Sequence, residues 1–335
     1  EQVNKKIKKG MIKNINIRIL KILVCLALLI TSLWFGVSFL QKQINYNPKN
    51  EKTLTINDNE NIEDEYNDFK LLMQNYVGLN FPGIDYFSVK EEDNGRGAYT
   101  IYAKLFEVGE RLIVDGVYNS TWKINQSKLD VECDNNYILS RTVNEYKALD
   151  SSQNYELTQS TIQDIKDLPD SASLNVSISF NQTKDATQVL EFINKYDTSL
   201  FSWLALKNVS PDSIAEGMSL WKSEKYGLTD EVNQKYPNLY LPYNGELTGD
   251  ILLQNYLSTL KLLIDHEDFL KTMNIDYLNC TSQSLQKRYD KTKISGIQSV
   301  GIKGLVKKKD LLKMIEKDGI NCINISDVKL SSLQR

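Results

Sequence analysis

The single histidine is the first residue to consider for acid–base chemistry, because its ordinary pKa lies near neutrality. His266 stands in the polar run Asp265-His266-Glu267-Asp268, with no cysteine or serine close to it in sequence. We therefore expect a surface or capping histidine. One histidine and scattered cysteines also argue against a Cys/His zinc site and, unless His266 anchors it, against a His-dependent triad.

The glycine-rich segment Gly296–Gly304 resembles a phosphate-binding loop in outline. In such a loop a lysine directly follows the second glycine, and a hydroxyl residue follows the lysine. Here Ile302 separates Gly301 from Lys303, and Gly304 follows the lysine. The sequence favours strand bulges or close backbone packing at these glycines.

The other charged motifs identify no enzyme. Lys307–Lys309 could form a nucleic-acid patch, but three lysines opening a helix in a domain of net negative charge favour a solvated face. The 43 acidic residues are too many to assign a catalytic pair without their separation in space. Asn119-Ser-Thr is a glycosylation sequon, which matters only in a glycosylating host. We therefore expect no enzyme, and we assign no catalytic, cofactor-binding or metal-binding residue.

The segment Ile22–Leu40 is uncharged and almost entirely apolar. At 1.5 Å per residue, about 19 residues give roughly 28 Å, close to the hydrocarbon thickness of a bilayer. Residues 1–21 contain seven lysines and arginines against one acidic residue, Glu1. By the positive-inside rule, we predict a single-pass cell-membrane protein with a cytoplasmic N-terminus and an extracytoplasmic C-terminal domain.

Three alternatives to a membrane span fit this segment less well. A cleaved signal peptide has a shorter apolar stretch and a small-residue cleavage site, whereas this segment ends in Gln41–Gln43. Cys25 could be a lipoprotein cysteine, but Val24 precedes it and an apolar-rich run follows it. A core helix of a soluble protein is disfavoured by apolar residues on all sides next to a basic cluster.

Polarity and periodicity divide the chain into five parts. These are a basic cytoplasmic tail (1–21), a transmembrane helix (22–40), a polar stalk (41–66), a β-rich regulator domain (67–150) and an α+β C-terminal regulator domain (151–335). From Phe69 to about residue 147, β-branched and aromatic residues between glycine turns predict an antiparallel sheet. The predicted fold class is α+β.

The C-terminal domain shows two β-α-β patterns, which predict a split β-α-β arrangement with a helical insertion. A helix over 155–167 is expected before them. The first unit comprises Leu174–Phe180, a helix over 186–196 and Leu200–Leu206, and the second comprises Ile297–Val306, Lys309–Lys317 and Ile320–Val328.

Between these units, residues 208–248 contain several prolines and glycines and predict an irregular excursion. Thr248 is expected to cap a helix that ends near Asp265, and two shorter helices follow, the second after Thr281. Gly319 lies where a left-handed helix stop is expected.

Three cysteines follow the apolar segment, at Cys133, Cys280 and Cys322. An odd number allows one disulfide and one free thiol in an oxidising compartment. Three unpaired buried thiols are the simpler expectation.

Several structural segments together carry a family resemblance. They are Leu168–Phe180 with the helix after it, Leu200–Leu206, Leu252–Leu263 running into His266, Gly296–Val306, Cys322–Val328 and, upstream, Phe81–Tyr86 and Tyr102–Gly109. Together with the basic tail and the apolar segment, they resemble the N-terminal and C-terminal regulator domains of membrane-anchored anti-sigma factors of Gram-positive bacteria.

The resemblance implies a protein that holds an extracytoplasmic-function sigma factor at the membrane and releases it on envelope stress. Its implied partners are that sigma factor and a second membrane protein, without direct nucleic-acid contact and without a cofactor. In that family the sigma-binding part precedes the span, whereas 21 residues starting at Glu1 precede it here. We expect either that a preceding segment is missing or that this member does not sequester a sigma factor alone. The His-x-x-x-Cys-x-x-Cys zinc motif of another anti-sigma class is absent.

The residues are also compatible with two other classes of protein. An anchored extracytoplasmic enzyme acting on cell-wall polymer would require a cleft with paired, pKa-perturbed carboxylates. An anchored binding or assembly module would use an exposed sheet edge or a groove.

The basic tail allows a direct test of the predicted orientation. Replacing Lys5, Lys6, Lys8 and Lys9 with neutral residues is expected to weaken or invert the topology, because basic residues near a span hold their side in the cytoplasm. In the unaltered protein, a reporter enzyme that functions only outside the cytoplasm should be active when it is fused after Arg335. A cytoplasmic signal from that fusion would contradict the predicted orientation.

Overall fold

The computed structural model describes residues 2–50, 68–107, 117–130, 157–196, 198–207, 216–220, 222–223, 228–242, 246–273 and 280–330. Within these ranges the chain is a mixed α+β protein with an apolar N-terminal helix and two larger antiparallel sheets. The predicted α+β class is confirmed at this level.

Helix α1 spans Gln2–Ile44. Its segment Arg18–Gln41 has 24 residues, none buried, and is long and apolar enough to cross a membrane. At 1.5 Å per residue this segment is about 36 Å long. A signal sequence near the N-terminus has the same properties, so length and composition establish only a transmembrane or signal helix.

The first sheet is a four-stranded antiparallel meander in the order β1-β2-β3-β4. Its elements are helix α2 (Asp68–Asn80) and strands β1 (Ile84–Gly95), β2 (Ala98–Glu107), β3 (Val117–Asn125) and β4 (Lys128–Asp130). The antiparallel sheet predicted here is confirmed. Of the predicted polar stalk and this domain, residues 51–67, 108–116 and 131–150 lie outside the described residues.

Helix α2 corrects the prediction that the strand pattern begins at Phe69. Twelve of its thirteen residues are buried, and only Gln74 is partly exposed. A helix buried on nearly all sides lacks the one-sided apolar periodicity that identifies a helix in sequence. Its sequence therefore has no clear helical signal.

The second sheet has five strands in the order β11-β5-β10-β6-β7. The strands of this part are β5 (Ala172–Asp185), β6 (Leu200–Leu206), β7 (Glu216–Ser219), β8 (Lys222–Ser223), β9 (Leu241–Pro242), β10 (Gln298–Lys307) and β11 (Ile320–Leu330). All neighbours in the five-stranded sheet are antiparallel, and β10 lies between β5 and β6. Strands β5 and β6 therefore run parallel to each other without being adjacent.

Within the described residues of this part, seven helices begin at threonine, aspartate, lysine or histidine caps. They are α3 (Gln159–Asp167), α4 (Ala186–Lys195), α5 (Asp230–Lys235), α6 (Gly249–Asp265), α7 (Glu267–Thr272), α8 (Ser282–Ser295) and α9 (Lys308–Lys317). The Thr248 hydroxyl accepts a hydrogen bond from the Ile251 N–H, and α6 ends at Asp265, as predicted. Gly319 follows α9 with φ +64°, which confirms the predicted left-handed stop.

Two further predictions need correction. The excursion predicted over 208–248 contains short regular elements in its described parts, namely β7, β8, α5 and β9, each too short to show a period in sequence. Lys308 does not belong to a solvated face, because only 9% of it is exposed. Its ammonium donates to the Leu168 carbonyl and lies 3.0 Å from Asp170 Oδ1. Lys307 and Lys309 are exposed as predicted.

The glycines of the second sheet mark close backbone approaches. A Cβ at Gly304 would lie 2.5 Å from the Leu200 carbonyl oxygen, and the pairing register shifts between Ser299 and Gly301. The predicted bulges and close packing are confirmed. A Cβ at Gly217 would lie 1.9 Å from the indole ring of Trp203, a fully buried side chain. The Trp203 indole N–H donates to the Gly78 carbonyl at 2.9 Å, which fixes the ring.

Gly217→Ala is expected to destabilise the fold by about 1–3 kcal/mol, because the added methyl overpacks a ring that is held in place. Chemical unfolding followed by circular dichroism measures the loss. In a Trp203→Phe background the smaller ring leaves room, so the added cost of Gly217→Ala should fall. The same cost in both backgrounds would contradict the steric explanation.

Candidate functional site

The end of the apolar helix is attached to the turns of the first sheet. After α1 ends at Ile44, the Tyr46 backbone N–H donates to Ser127 Oγ at 2.7 Å. The Asn45 side chain lies against Gly97, where an added Cβ would come within 2.6 Å of its amide nitrogen. Gly97 has φ +74°, a conformation that glycine adopts without strain. Because Gly97 has no side chain, the turn leaves room for the Asn45 side chain at the end of the helix.

The Tyr46 ring continues this attachment into the core. Tyr46 is 9% exposed, and its ring meets Phe269 edge-on with centroids 6.4 Å apart. Phe269 in turn packs against Phe69 at 5.9 Å and Tyr76 at 5.8 Å, both on α2. Edge-to-face aromatic pairs at these distances are favourable. Within the predicted stalk, the part next to the helix is thus packed against the folded domain.

We call the contacts of Asn45 and Tyr46 with Gly97, Ser127 and Phe269 the joint. They connect the apolar helix both to the turns of the first sheet and to α7, the helix that carries Phe269.

A second contact lies farther along the helix. The Arg96 guanidinium, in the turn between β1 and β2, lies 5.1 Å from the centroid of the Trp34 ring. Trp34 precedes the end of α1 at Ile44 by ten residues, or about 15 Å. A cation over an indole face at this distance is attractive. The first sheet therefore contacts the helix at two levels.

Helix α2 connects the joint to the second sheet. The Tyr76 hydroxyl donates to the Met273 carbonyl at 2.7 Å, next to the aromatic cluster. On the other side of α2, the Gly78 carbonyl accepts the Trp203 indole N–H. The buried contacts therefore form a continuous path from the end of α1 to β6.

A cavity of about 390 Å³ opens beside the second sheet. Its walls come from the end of β6, the start of β7, α6, the last turn of α8 and the start of β10. The lining residues are Leu206, Lys207, Glu216, Tyr256, Lys291, Thr292, Ser295, Gly296, Ile297 and Gln298.

Two buried polar residues form the inner wall of this cavity. Glu216 is 2% exposed, and its Oε1 lies 3.4 Å from Nε of Arg288, which is also 2% exposed. Tyr256 is 1% exposed, and its hydroxyl makes no hydrogen bond within the described residues. Burial raises the pKa of Tyr256 above its ordinary value; Glu216 and Cys280 raise it further, while Arg288 lowers it. The phenol is therefore neutral and able to donate at physiological pH.

The start of the glycine-rich segment Gly296–Gly304 lines this cavity through Gly296, Ile297 and Gln298, whereas His266 and the described cysteines lie elsewhere. His266 lies between α6 and α7, with Nδ1 2.7 Å from the Leu262 carbonyl oxygen, as expected for a capping histidine. Cys280 and Cys322 are buried free thiols, as predicted, and Cys133 lies outside the described residues. Asn119 lies in β3. No cluster suited to a metal ion is found among the residues that the structure describes.

Asp265, a described carboxylate whose pKa departs from its ordinary value, does not resemble a general acid. Burial favours a higher pKa for Asp265, but hydrogen bonds from Lys261, Lys235 and Tyr236 outweigh it, so the pKa lies below its ordinary value. A catalytic acid requires a shift in the opposite direction. Asp265 is a structural acceptor between α5 and α6.

Sequence reasoning missed Tyr46, Glu216, Tyr256 and Arg288. Tyr46 had one usable signal, since it is an aromatic residue in an otherwise polar segment. Glu216 and Arg288 are 72 residues apart and have none, because a buried ion pair has no local sequence pattern.

Comparisons with known proteins show no relative. No family model, curated protein or solved structure matches this chain.

Tyr46→Ala is expected to detach the joint, because it removes an aromatic ring whose burial contributes about 1.5–3 kcal/mol. Hydrogen exchange of residues 45–50 and of the 95–97 turn should become at least about tenfold faster. Tyr102→Ala is the matched control, since Tyr102 lies on β2 of the first sheet and is 44% exposed. Equal exchange in the two variants would contradict a structural role for Tyr46.

Proposed function

We propose that this chain is a membrane-anchored regulator of an extracytoplasmic-function sigma factor, of the anti-sigma type, with an outer sensor part. The observation that carries the proposal is the joint. An apolar helix that only anchors a domain needs no fixed contact with it. Here, two residues after the helix ends, Tyr46 is buried and its backbone N–H donates to a sheet turn.

The topology is part of the proposal. Seven basic residues lie among residues 1–21, directly before the uncharged segment Ile22–Leu40. With that side in the cytoplasm, both sheets lie outside the membrane. Trp34 then lies in the outer half of the span, seven residues before its end at Gln41. The contact between Arg96 and Trp34 requires the turn between β1 and β2 to lie at the membrane surface, with the long arginine side chain extending along the span.

The fold assignment within the outer part is also proposed. Strands β5 and β6 flank β10 and are joined through α4, and strands β10 and β11 flank β5 and are joined through α9. Two such interleaved units support a split β-α-β sandwich like that implied by the family resemblance.

The proposed mechanism follows from the path of buried contacts. A stimulus that favours one conformation of the second sheet changes how α2 packs, and α2 shares the aromatic cluster with Tyr46. A shift of Tyr46 moves the end of α1 and so alters the cytoplasmic side. Coupling of this kind requires that the stimulus bind the two states with different affinity.

The partners follow from the same arrangement. The cytoplasmic side would hold a sigma factor, directly or through a second membrane protein that packs against the span. Direct contact with nucleic acid is not part of the proposal, and the three consecutive lysines lie on the outer side, with Lys308 bound to Leu168 and Asp170.

Affinity capture of the full gene product from the membranes of its host tests the proposal. A sigma factor, or a membrane protein that itself carries one, is expected in the eluate identified by mass spectrometry. Capture of neither would overturn the assignment.

The joint gives a second, functional measurement. A transcriptional reporter for the captured sigma factor should lose its response to envelope stress in Tyr46→Ala but keep it in Tyr102→Ala. A normal response in Tyr46→Ala would mean that the helix and the outer part communicate by another route.

A further inference from the structure

Two turns of the first sheet form one surface at the end of α1. Strands β1 and β2 are joined by the two-residue turn of Arg96 and Gly97, and β3 and β4 by the turn of Gln126 and Ser127. The Gln126 N–H donates to the Gly97 carbonyl at 3.2 Å, so the two turns lie side by side. We call this surface the turn platform; it comprises residues 94–97 and 125–128.

The turn platform lies at the level of lipid headgroups when α1 spans a membrane. From Lys21, the last charged residue before the apolar segment, to Gln41 the helix rises about 30 Å, the hydrocarbon thickness of a bilayer. The Asn45 N–H donates to the Gln41 carbonyl, so Asn45 lies about 6 Å farther along the same rise. The headgroup layer is about 5–8 Å thick on each side of the hydrocarbon. Since Gly97 lies against the Asn45 side chain, the platform lies in that layer.

The Arg96 side chain extends from the platform towards the hydrocarbon. Its guanidinium lies 5.1 Å from the centroid of the Trp34 ring, whereas the next residue, Gly97, lies against Asn45. Trp34 precedes Asn45 by eleven residues, or about 16 Å along the helix. The guanidinium therefore lies on the membrane side of its own turn. A cation is costly in hydrocarbon, and a long side chain can keep it within reach of the headgroups.

The turn itself gives no reason for an arginine at this position. Arg96 has φ +54° and Gly97 has φ +74°. Two-residue hairpin turns of this kind favour asparagine, aspartate or glycine, and other residue types with positive φ are uncommon. The role of Arg96 therefore lies in what its side chain contacts outside the turn.

The cations of the platform suit phosphate. Arg96 and Lys128 are exposed, and neither forms an ion pair within the part of the chain that the structure describes. Asp93, beside the platform, is also exposed, and its carboxylate accepts the Gly95 N–H at 2.7 Å. A guanidinium binds phosphate through two parallel hydrogen bonds, and an ammonium binds it as a point charge. In the headgroup layer, phosphate is the anion that these two side chains meet.

We propose that the turn platform binds the phosphate groups of phospholipids in the adjoining leaflet. Arg96 holds one phosphate beside Trp34, and Lys128 holds a neighbouring one. The joint and these lipid contacts together fix the orientation of the first sheet relative to the membrane. The proposal rests on the membrane anchoring in the proposed function and not on the sigma factor.

Hydrogen exchange of the full chain tests the proposal in two environments. One is a nanodisc of phosphatidylcholine and phosphatidylglycerol, and the other is a micelle of a maltoside detergent, which has no phosphate. The amides of the turn platform are expected to exchange at least about tenfold more slowly in the nanodisc. The double variant Arg96→Gln/Lys128→Gln should lose most of this difference, because glutamine keeps a long polar side chain without the charge.

The matched control is the double variant Lys90→Gln/Lys104→Gln. Lys90 and Lys104 are exposed lysines of β1 and β2 outside the platform, so this variant removes the same charge from the same sheet. It is expected to keep the slow exchange of the platform in nanodiscs. Unchanged circular dichroism spectra show that both double variants fold.

Photo-cross-linking locates the contact independently of charge. A benzophenone amino acid in place of Gln126 should form lipid adducts in the nanodisc, detected by mass spectrometry. The same group in place of Lys104 should form few, because Lys104 lies about 23 Å from Gly97 along β2.

Four results would overturn the proposal. Equal exchange in nanodiscs and micelles, or equal adducts at the two cross-linker positions, would mean that the platform does not lie in the headgroup layer. Slow exchange that persists in Arg96→Gln/Lys128→Gln would mean that phosphate is not recognised. Equal effects of the two double variants would mean that the charge acts generally. Incorporation into nanodiscs itself tests the anchoring, and capture of a sigma factor tests the regulator, so these failures are distinguishable.

Discussion

Helix α2 holds the rest of the structure in place because both sheets and the aromatic cluster pack against it. One side contacts β1 of the first sheet, another contacts β7 of the second sheet, and a third contacts α6. Its backbone also takes part, since the Gly78 carbonyl accepts the Trp203 indole N–H. A helix surrounded in this way cannot move independently of its neighbours, because interiors are packed as densely as organic crystals. A displacement on one side must be accommodated on the others.

The joint extends this constraint to the apolar helix. Tyr46 and Phe69 both meet Phe269, so the end of α1 and the start of α2 share one aromatic neighbour. Aromatic rings contribute large buried areas, and their preferred edge-to-face geometry restricts their orientation. The geometry therefore suits a helix that moves together with the two sheets. A flexible polar linker would let the two parts move separately.

The cavity beside the second sheet has buried polar residues in its wall, and other parts of the same sheet also bury polar residues, such as Asn175, Ser177 and Ser179. The buried pair of Glu216 and Arg288 carries a desolvation cost that an apolar pair of similar size would avoid. The pair lies at the inner side of the cavity, where Glu216 and Tyr256 both contribute to the wall.

The sequence alone determined the features that depend on local order. The apolar segment, the threonine cap of α6, the left-handed Gly319 and the alternation of β5 all follow from residue type and spacing, because each depends on neighbours within a few residues. Tertiary structure decided the features that depend on distant residues. Helix α2 is buried on nearly all sides and so has no periodic signal, and the Lys308 ammonium is held by the Leu168 carbonyl and Asp170, about 140 positions away. The cavity belongs to this second group, since Glu216, Tyr256 and Arg288 meet only when β7, α6 and α8 pack together.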